Sequence, residues 1–252
     1  MGNEDRGKLK LLLRKTSFVD YPGLISSVLF FHGCNLRCPW CHNRGLITGE
    51  EKEFVSLDTA FAHIRKRRPV LGGVVLSGGE PCQQSELPDI VSEIKKLTLH
   101  VKLDTNGLFP VMLEKLFSRE ETKPDYIALD LKIAPVRYGE LGDRGDSLIK
   151  SAALIRESGI PHEYRSLALP GGFISERDIE ALAPLADNSP WYFRPFRGGN
   201  CLNPAWDKLV EIDGEAIVRA EALAAKAREL GKNGLLRPVN NSDFSFGKPP
   251  GN

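Results

Sequence analysis

The stretch C-N-L-R-C-P-W-C, Cys34 to Cys41, holds three of the chain's five cysteines within eight residues. An odd number of cysteines with such a cluster makes a poor disulfide framework, and the pattern more often binds metal. Three thiolates on one short loop can each take a different iron of a cubane cluster, whereas tetrahedral zinc usually draws two pairs of ligands from separate segments. The C-x3-C-x2-C array therefore favours an iron–sulfur cluster with one iron open to an outside ligand.

Two alternatives remain for this array: a structural zinc site completed by His42, and a group of incidental buried thiols. His42 directly follows Cys41, and adjacent residues rarely turn toward the same ion. Of the other cysteines, Cys82 follows a Gly-Gly-Glu-Pro turn and could approach the cluster, while Cys201 is expected to be a plain thiol. No cysteine lies between Cys41 and Gly78, so the chain has ligands for one cluster.

Around the cysteines, short apolar and β-branched runs alternate with amphipathic segments, which is the pattern of repeated β-then-α units. Six runs are predicted to be strands: Leu24–His32, Gly73–Ser77, His100–Asp104, Tyr126–Lys132, His162–Leu169 and Trp191–Phe196. Helices are predicted behind a Ser56 cap, around Ile90, Ile94 and Leu97, and at Pro110–Arg119, Ser147–Ser158, Glu176–Leu185 and Glu215–Leu230. Parallel strands need helical crossovers, so six units predict an α/β fold, an open partial (β/α)6 barrel with parallel strands.

Polar residues follow several of the predicted strands at the point where each strand ends. Cys34 follows the first strand, Gly78–Pro81 the second, Asp104–Gly107 the third, and Lys132 ends the fourth. In parallel α/β folds the loops at the carboxyl ends of the strands carry the chemistry. We therefore expect these residues to share one site.

The chain as a whole has the composition of one globular domain, spanning residues 1–252. Its 252 residues include 34 Lys and Arg against 33 Asp and Glu, so a net charge of +1 gives no field that would recruit nucleic acid or an anionic membrane. We expect a core over about 16–231, with loose polar ends at 1–7 and 240–252. The longest apolar stretch, Leu24–Phe31, is too short to span a bilayer, and the start M-G-N-E-D-R is no signal peptide, so a cytoplasmic protein is expected.

The cysteine array, with aromatic Trp40 before its last cysteine, resembles the radical S-adenosylmethionine (SAM) superfamily from Thr16 to about Gly199. Within the superfamily the chain is most similar to the activases of glycyl-radical enzymes, because D-Y-P-G at Asp20–Gly23 and C-H-N at Cys41–Asn43 are typical of that branch. The segment T-S-F-V-D-Y-P-G, Thr16 to Gly23, most resembles the activators of anaerobic ribonucleoside-triphosphate reductases. The resemblance implies a radical SAM barrel, a 4Fe–4S cluster on the three loop cysteines, and SAM as cofactors.

The segment Ser77–Pro81 resembles the superfamily's G-G-E motif, which binds the amino group of SAM. The residues carried over are Gly78, Gly79, Glu80 and Pro81. Two glycines also let a backbone approach a ligand closely. The alternative is an ordinary turn between a strand and a helix.

The D-T-N-G and D-L-K segments resemble two further activase motifs. The resemblance implies that Lys132 pairs with the SAM carboxylate, that Asp104 and Asn106 lie at the cofactor, and that Asp104, Thr105 and Asp130 hold a monovalent cation. The alternative is a capped turn with a solvated charge pair. However, charges inside apolar parallel strands are costly unless they are paired or functional.

Three further side chains are placed near the cofactor by resemblance. Trp40 belongs to the cysteine motif, and Arg165 resembles the arginine of a strand-Pro-Gly element near SAM or the incoming peptide. Arg165 could also be an ordinary surface arginine. Arg197 stands where pyruvate formate-lyase activases carry a histidine, so we expect it to substitute for that residue at SAM.

The resemblance implies that a reduced cluster cleaves SAM to a 5′-deoxyadenosyl radical, which removes a hydrogen from a glycine of a partner enzyme. The expected partners are a glycyl radical enzyme, most closely the anaerobic ribonucleotide reductase, and reduced flavodoxin or ferredoxin as electron donor. One alternative is a radical SAM enzyme that acts on a small molecule, as deazaguanine-forming synthases do. The other is a non-catalytic binding module stabilised by metal.

Overall fold

The computed structural model describes residues 9–50, 53–208 and 214–237, in which eight strands form one sheet in the order of the sequence. The predicted loose ends, 1–7 and 240–252, lie outside these residues. The strands are β1 Leu11–Ser17, β2 Ser26–Phe31, β3 Gly73–Gly78, β4 His100–Thr105, β5 Tyr126–Asp130, β6 His162–Ala168, β7 Trp191–Pro195 and β8 Gly234–Leu236.

The helices lie where the sequence predicts them, with one short addition after the cysteine loop. They are α1 Arg44–Thr48, α2 Leu57–Arg67, α3 Leu87–Lys96, α4 Pro110–Phe117, α5 Asp146–Glu157, α6 Glu176–Leu182 and α7 Gly214–Glu229. The Ser56 side chain caps α2 by accepting from the backbone N–H of Thr59, and Ser175 with Asp178 forms the capping box that starts α6. Within the described residues, no helix is both long and apolar enough to cross a membrane.

Strands β2 to β7 pair in parallel, each with the next, which confirms the open partial (β/α)6 barrel. Two edge strands were not predicted: β1 pairs antiparallel with β2, and β8 pairs parallel with β7. The sheet therefore runs from Leu11 to Leu236 and extends beyond the core expected at 16–231. The strand β8 has three residues, too few to show a period of two.

The two faces of the sheet differ in character. Alternate residues of β2 to β7 pack outward against the helices in one apolar core, as Leu103 and Phe193 do. The residues between them face the barrel interior. On β2 and β3 they include members of a second apolar cluster, whereas on β4 and β6 they include Lys102, Asp104 and Arg165. The structure thus shows why these strands carry charges: their inner face lines a polar space.

The last strand is held by an ion pair inside the barrel. Arg237, directly after β8, donates from Nη1 to Oε1 of Glu163 at 3.0 Å and from Nη2 to Oε2 at 2.8 Å. Its guanidinium lies 3.9 Å from the ring centre of Tyr192, and the hydroxyl of Tyr126 donates to Oε2 of Glu163 at 3.0 Å. Burial alone would raise the pKa of Glu163, but Arg165 and Arg237 outweigh it and hold this pKa below its ordinary value.

We predict that Arg237→Ala lowers the free energy of unfolding by about 1–3 kcal/mol, since it leaves the buried Glu163 carboxylate with fewer partners. The exposed pair Arg144–Asp146 provides the control, because Arg144→Ala should change stability by less than about 0.5 kcal/mol. The paired Glu163 stabilises the fold above its unfolded pKa of about 4.5, and this contribution is lost as pH falls through the lower folded pKa. Urea unfolding at pH 7 and at pH 4 measures both effects; an equal loss at both pH values would contradict the assignment.

Candidate functional site

A cavity of about 640 Å³ lies at the carboxyl ends of β2 to β7 and brings almost all the predicted site residues together. Those that line it are Cys34, Cys38, Trp40, Cys41, Gly78, Gly79, Glu80, Asp104, Thr105, Asn106, Asp130, Lys132, Arg165 and Arg197. Pro81 is buried at the start of a short 3-10 turn and does not line the cavity. The cavity forms because the polar loops at strand ends all open on the same side of the barrel.

The cysteine loop folds tightly over the end of β2. The backbone N–H of Cys41 donates to the carbonyl of Cys38 at 3.0 Å, and that of Leu36 donates to Cys34 Sγ at 3.4 Å. Burial raises the pKa of Cys34 and of Cys38 to about 11 and raises that of Cys41, whereas the nearby Lys132 ammonium lowers all three. Burial therefore favours the protonated thiols at neutral pH, and a bound metal cation would favour their anionic form.

The three thiols fit a 4Fe–4S cluster by their chemistry and placement. They line one cavity and are close enough to affect one another's pKa values. Soft thiolate donors suit iron–sulfur clusters, and three of them can bind three different irons, so they need not meet at one point. Within the described residues, no three His, Cys, Asp or Glu side chains form a group that could hold a single metal ion.

The remaining candidates for metal ligands have other contacts. Nε2 of His42 donates to the backbone carbonyl of Arg197 at 2.6 Å, and its ring stacks on Phe196. Cys82 and Cys201 are buried outside the cavity lining. The cysteine loop itself therefore supplies the thiolates of the site.

The G-G-E loop is tied by its backbone to the cysteine loop. The N–H of Glu80 donates to the carbonyl of Gly33 at 2.9 Å, directly before the first cysteine. Nδ2 of Asn43 donates to the carbonyl of Gly78 at 2.7 Å from the other end of the cysteine loop. A Cβ on Gly79 would overlap the carbonyl oxygen of Gly33, so this close approach requires glycine.

The Glu80 side chain points toward the loop after β4. Its carboxylate is fully buried and accepts from Oγ1 of Thr105 at 2.8 Å, from the N–H of Asn106 at 2.7 Å and from the N–H of Cys82 at 3.0 Å. Burial raises the pKa of Glu80, and these three donors oppose the rise. In this structure Glu80 joins the two loops, and its contact with the amino group of SAM stays a prediction.

Ion pairs cross the inner wall of the barrel from β4 to β6. Arg165 lies 3.1 Å from Asp104 Oδ1 and 3.2 Å from Asp130 Oδ1, and Lys132 Nζ lies 3.0 Å from Asp130 Oδ2. Lys102 and Ser77 contact Asp104 as well. Burial would raise the pKa of both aspartates, but the cations outweigh it and lower both pKa values. Arg165 is thus a cavity residue rather than a surface arginine.

Several lining residues were missed by sequence reasoning. Arg14 lies on the unpredicted β1 and pairs with Asp20 of the D-Y-P-G segment at 2.9 Å. Arg194 faces the cavity from β7, where alternation with the buried Phe193 could have found it. Asn43 belongs to the C-H-N triplet, which was recognised without a role for this side chain.

Comparison with known proteins agrees with this site. The family model described as the radical SAM superfamily matches residues 28–183, and the chain belongs to this superfamily. The chain is 31% identical over 192 residues to a glycyl-radical enzyme activating enzyme of Methanocaldococcus jannaschii, covering 70% of this chain and 74% of that protein. It is 31% identical over 186 residues to the pyruvate formate-lyase-activating enzyme of Clostridium pasteurianum, covering 70% of this chain and 75% of the relative. These relatives support the activase branch.

The fold also matches solved structures. A crystal structure of a radical SAM methyltransferase from Sphaerobacter thermophilus superposes with a TM-score of 0.66 over 91% of this chain and 70% of that one, at 16% identity. Such a likeness shows the shared fold. Membership of the superfamily implies a 4Fe–4S cluster and SAM as cofactors, and the donor set of the cavity fits the cluster.

We predict that Gly79→Ala destabilises the fold by about 1–3 kcal/mol, because the added methyl group overlaps the backbone ahead of Cys34. Anaerobically prepared Gly79→Ala should also hold less iron than the wild-type protein, since the cysteine loop must shift. Gly139→Ala is the matched control, because a Cβ there meets nothing within 4 Å. Thermal unfolding and iron analysis measure both effects, and wild-type values for Gly79→Ala would refute the close approach.

Proposed function

We propose that this chain is a radical SAM activase that generates a glycyl radical on a partner enzyme. The observation that carries the proposal is the meeting of the three loop thiols with the G-G-E, D-T-N-G and D-L-K residues in one cavity. Cys34, Cys38 and Cys41 would hold a 4Fe–4S cluster, and the loops after β3, β4 and β5 would hold SAM. When bound, the cluster and SAM supply the electron and the carbon-centred radical for the reaction.

The chain's own residues bind and orient these groups. Lys132 would take the carboxylate of SAM, and it lies in the cavity close enough to Cys38 to affect that thiol's pKa. Gly78 and Gly79, which line the cavity, would let the backbone approach the amino group of SAM closely. Trp40 packs on Phe173 with ring centres 5.0 Å apart, which shields one side of the cysteine loop from water.

The remaining predicted contacts belong to the same proposal. Arg197 lines the cavity and would substitute for the activase histidine at SAM. A monovalent cation at Asp104, Thr105 and Asp130 would have to share these carboxylates with the cations that contact them here, Lys102, Arg165 and Lys132.

The D-Y-P-G segment supports a polypeptide substrate. Asp20 lines the cavity and is held there by Arg14. One residue of the motif that is typical of the activase branch is therefore part of the cavity wall. Because the sequence of residues 16–23 resembles the activators of anaerobic ribonucleotide reductases, we propose this reductase as the partner. Reduced flavodoxin or ferredoxin would be the electron donor. The cytoplasm would be the location.

We predict that anaerobic incubation with SAM, a reductant and a class III ribonucleotide reductase gives the doublet of a glycyl radical in electron paramagnetic resonance. Cys34→Ala, Cys38→Ala and Cys41→Ala should each abolish the doublet and the normal iron content, because each removes one ligand of the cluster. Cys201→Ala, which removes a thiol outside the cavity lining, should retain both.

Three outcomes separate the rival functions. SAM cleavage without a radical on any glycyl-radical enzyme, together with turnover of a small metabolite, would replace the activase by a small-molecule radical SAM enzyme. Zinc in place of iron after anaerobic purification would indicate a metal-stabilised binding module. Normal iron in all three loop variants would overturn the cluster assignment.

We predict that Lys132→Ala keeps the cluster but weakens SAM binding by about 1.5–3 kcal/mol, the scale of a hydrogen bond to a charged group. Removing Lys132 also leaves Asp130 without one of its two cations, so the variant's unfolding temperature must be measured alongside. Lys150→Ala, at an exposed pair with Glu114, is the control. Equilibrium titration with SAM measures the affinity of each variant. A wild-type affinity in Lys132→Ala would show that Lys132 does not bind the carboxylate of SAM.

A further inference from the structure

Two asparagine side chains link the cysteine loop to the loop after β4. Nδ2 of Asn106 donates to Oδ1 of Asn35 at 2.8 Å, and the same nitrogen lies 3.8 Å from Cys34 Sγ. Nδ2 of Asn35 in turn donates to Oδ2 of Asp143 at 2.5 Å. Asn106 is only 5% exposed, so water competes little for its amide.

The orientation of both amides is fixed by neighbours that have only one hydrogen-bonding role. A carboxylate only accepts, so Asp143 attracts the NH2 group of Asn35 and leaves Oδ1 facing Asn106. A backbone N–H only donates, and that of Leu108 donates to Oδ1 of Asn106 at 3.0 Å. Asn106 must therefore present its NH2 group to Asn35 and Cys34, and its two hydrogens suffice for both contacts.

The main chain holds both ends of this link. The N–H of Asn106 donates to the buried carboxylate of Glu80 at 2.7 Å, which fixes the backbone from which the amide projects. At the other end, the N–H of Arg37 donates to the carbonyl of Leu141 at 2.7 Å, two residues before Asp143. The amide of Asn106 is thereby held in place independently of any ligand.

The protonation state of Cys34 decides what the link does. As a thiol, Cys34 donates weakly to Oδ1 of Asn35 at 3.8 Å. A sulfur bound to iron carries no proton and can only accept. Two N–H groups then face it, the backbone of Leu36 at 3.4 Å and the amide of Asn106.

We propose that Asn106, oriented through Asn35 by Asp143, is a positioning residue that donates to the iron-bound sulfur of Cys34 and raises the reduction potential of the cluster. This inference rests on the proposed function, because it requires the cluster. A donor at a ligand sulfur favours the more negative, reduced cluster, and such hydrogen bonds are among the determinants of the potential.

The test is the midpoint potential of the reconstituted cluster, measured without SAM by a redox titration monitored by electron paramagnetic resonance. Omitting SAM separates the contact with sulfur from any contact of Asn106 with SAM. Asn106→Asp, which replaces the donor by an oxygen, should shift the potential to more negative values, and Asn106→Ala should shift it less far. Asp143→Ala frees Asn35 to turn, but it also removes a negative charge that accepts from the N–H of Arg144, and this loss opposes the effect, so its shift in the same direction should be the smallest. Asn188→Ala, outside the cavity lining, is the control.

The outcomes distinguish the inference from the proposed function. Wild-type protein that holds no 4Fe–4S cluster would defeat the function itself. Wild-type potentials in Asn106→Asp and Asn106→Ala, with a normal cluster, would overturn the role of Asn106 and leave the function standing. If Asn106→Asp loses its cluster, the midpoint potentials of Asn106→Ala and Asp143→Ala test the role of Asn106 instead. If Asn106 had a merely structural role, these variants would have a lower unfolding temperature but a wild-type potential.

Discussion

The functional end of the barrel depends on the buried carboxylate of Glu80. A carboxylate with no exposure is costly unless several donors satisfy it, and here Cys82, Thr105 and Asn106 do so. Two of those donors lie at the end of β4 and in the first residue after it, so separating this strand end from the G-G-E loop would leave a buried charge or a buried acid without partners. The N–H of Glu80 meanwhile binds the carbonyl of Gly33, so one residue joins the ends of β2, β3 and β4.

The charged inner wall of β4 to β6 has a different cost and a different purpose. Buried ion pairs seldom stabilise a fold more than apolar residues of the same volume would, because both charges must leave water. Arg165 between Asp104 and Asp130 is therefore better explained by what the wall must bind than by stability. SAM carries a carboxylate, an ammonium and a sulfonium, and a wall with both signs of charge can meet a ligand of that kind.

The sequence was sufficient to predict features that repeat or that follow a motif. The β/α alternation predicted six parallel strands, and the helix after Ser56 was predicted from its cap and apolar spacing. Residues at the ends of four strands were expected in one site, and the cavity contains all of them except Pro81 and Gly107, because parallel strands bring their carboxyl ends to one edge.

The features that were missed depend on partners far away in the chain. Strand β1 mixes buried leucines with Arg14 and Lys15, so its sequence shows no clear alternation of buried and exposed residues. Which of its side chains face inward becomes clear only from its pairing with β2. The link from Asn35 to Asp143 spans 108 residues and leaves no local pattern in the sequence. Glu80 and Asn106, which motif resemblance assigned to the site, both line the cavity, but the direction of each side chain is decided by donors on neighbouring loops.

The edge strand β1 explains how the D-Y-P-G segment reaches the cavity. The register of β1 against β2 shifts between Arg14 and Ser17, and the Ser17 hydroxyl then accepts from the N–H of Asp20 at 3.2 Å. This turn brings Asp20 into the cavity from the first edge of the sheet, while the cysteine, G-G-E, D-T-N-G and D-L-K residues reach it from the ends of β2 to β5. The D-Y-P-G segment therefore meets the cavity from a different strand than the cysteine array, which follows β2.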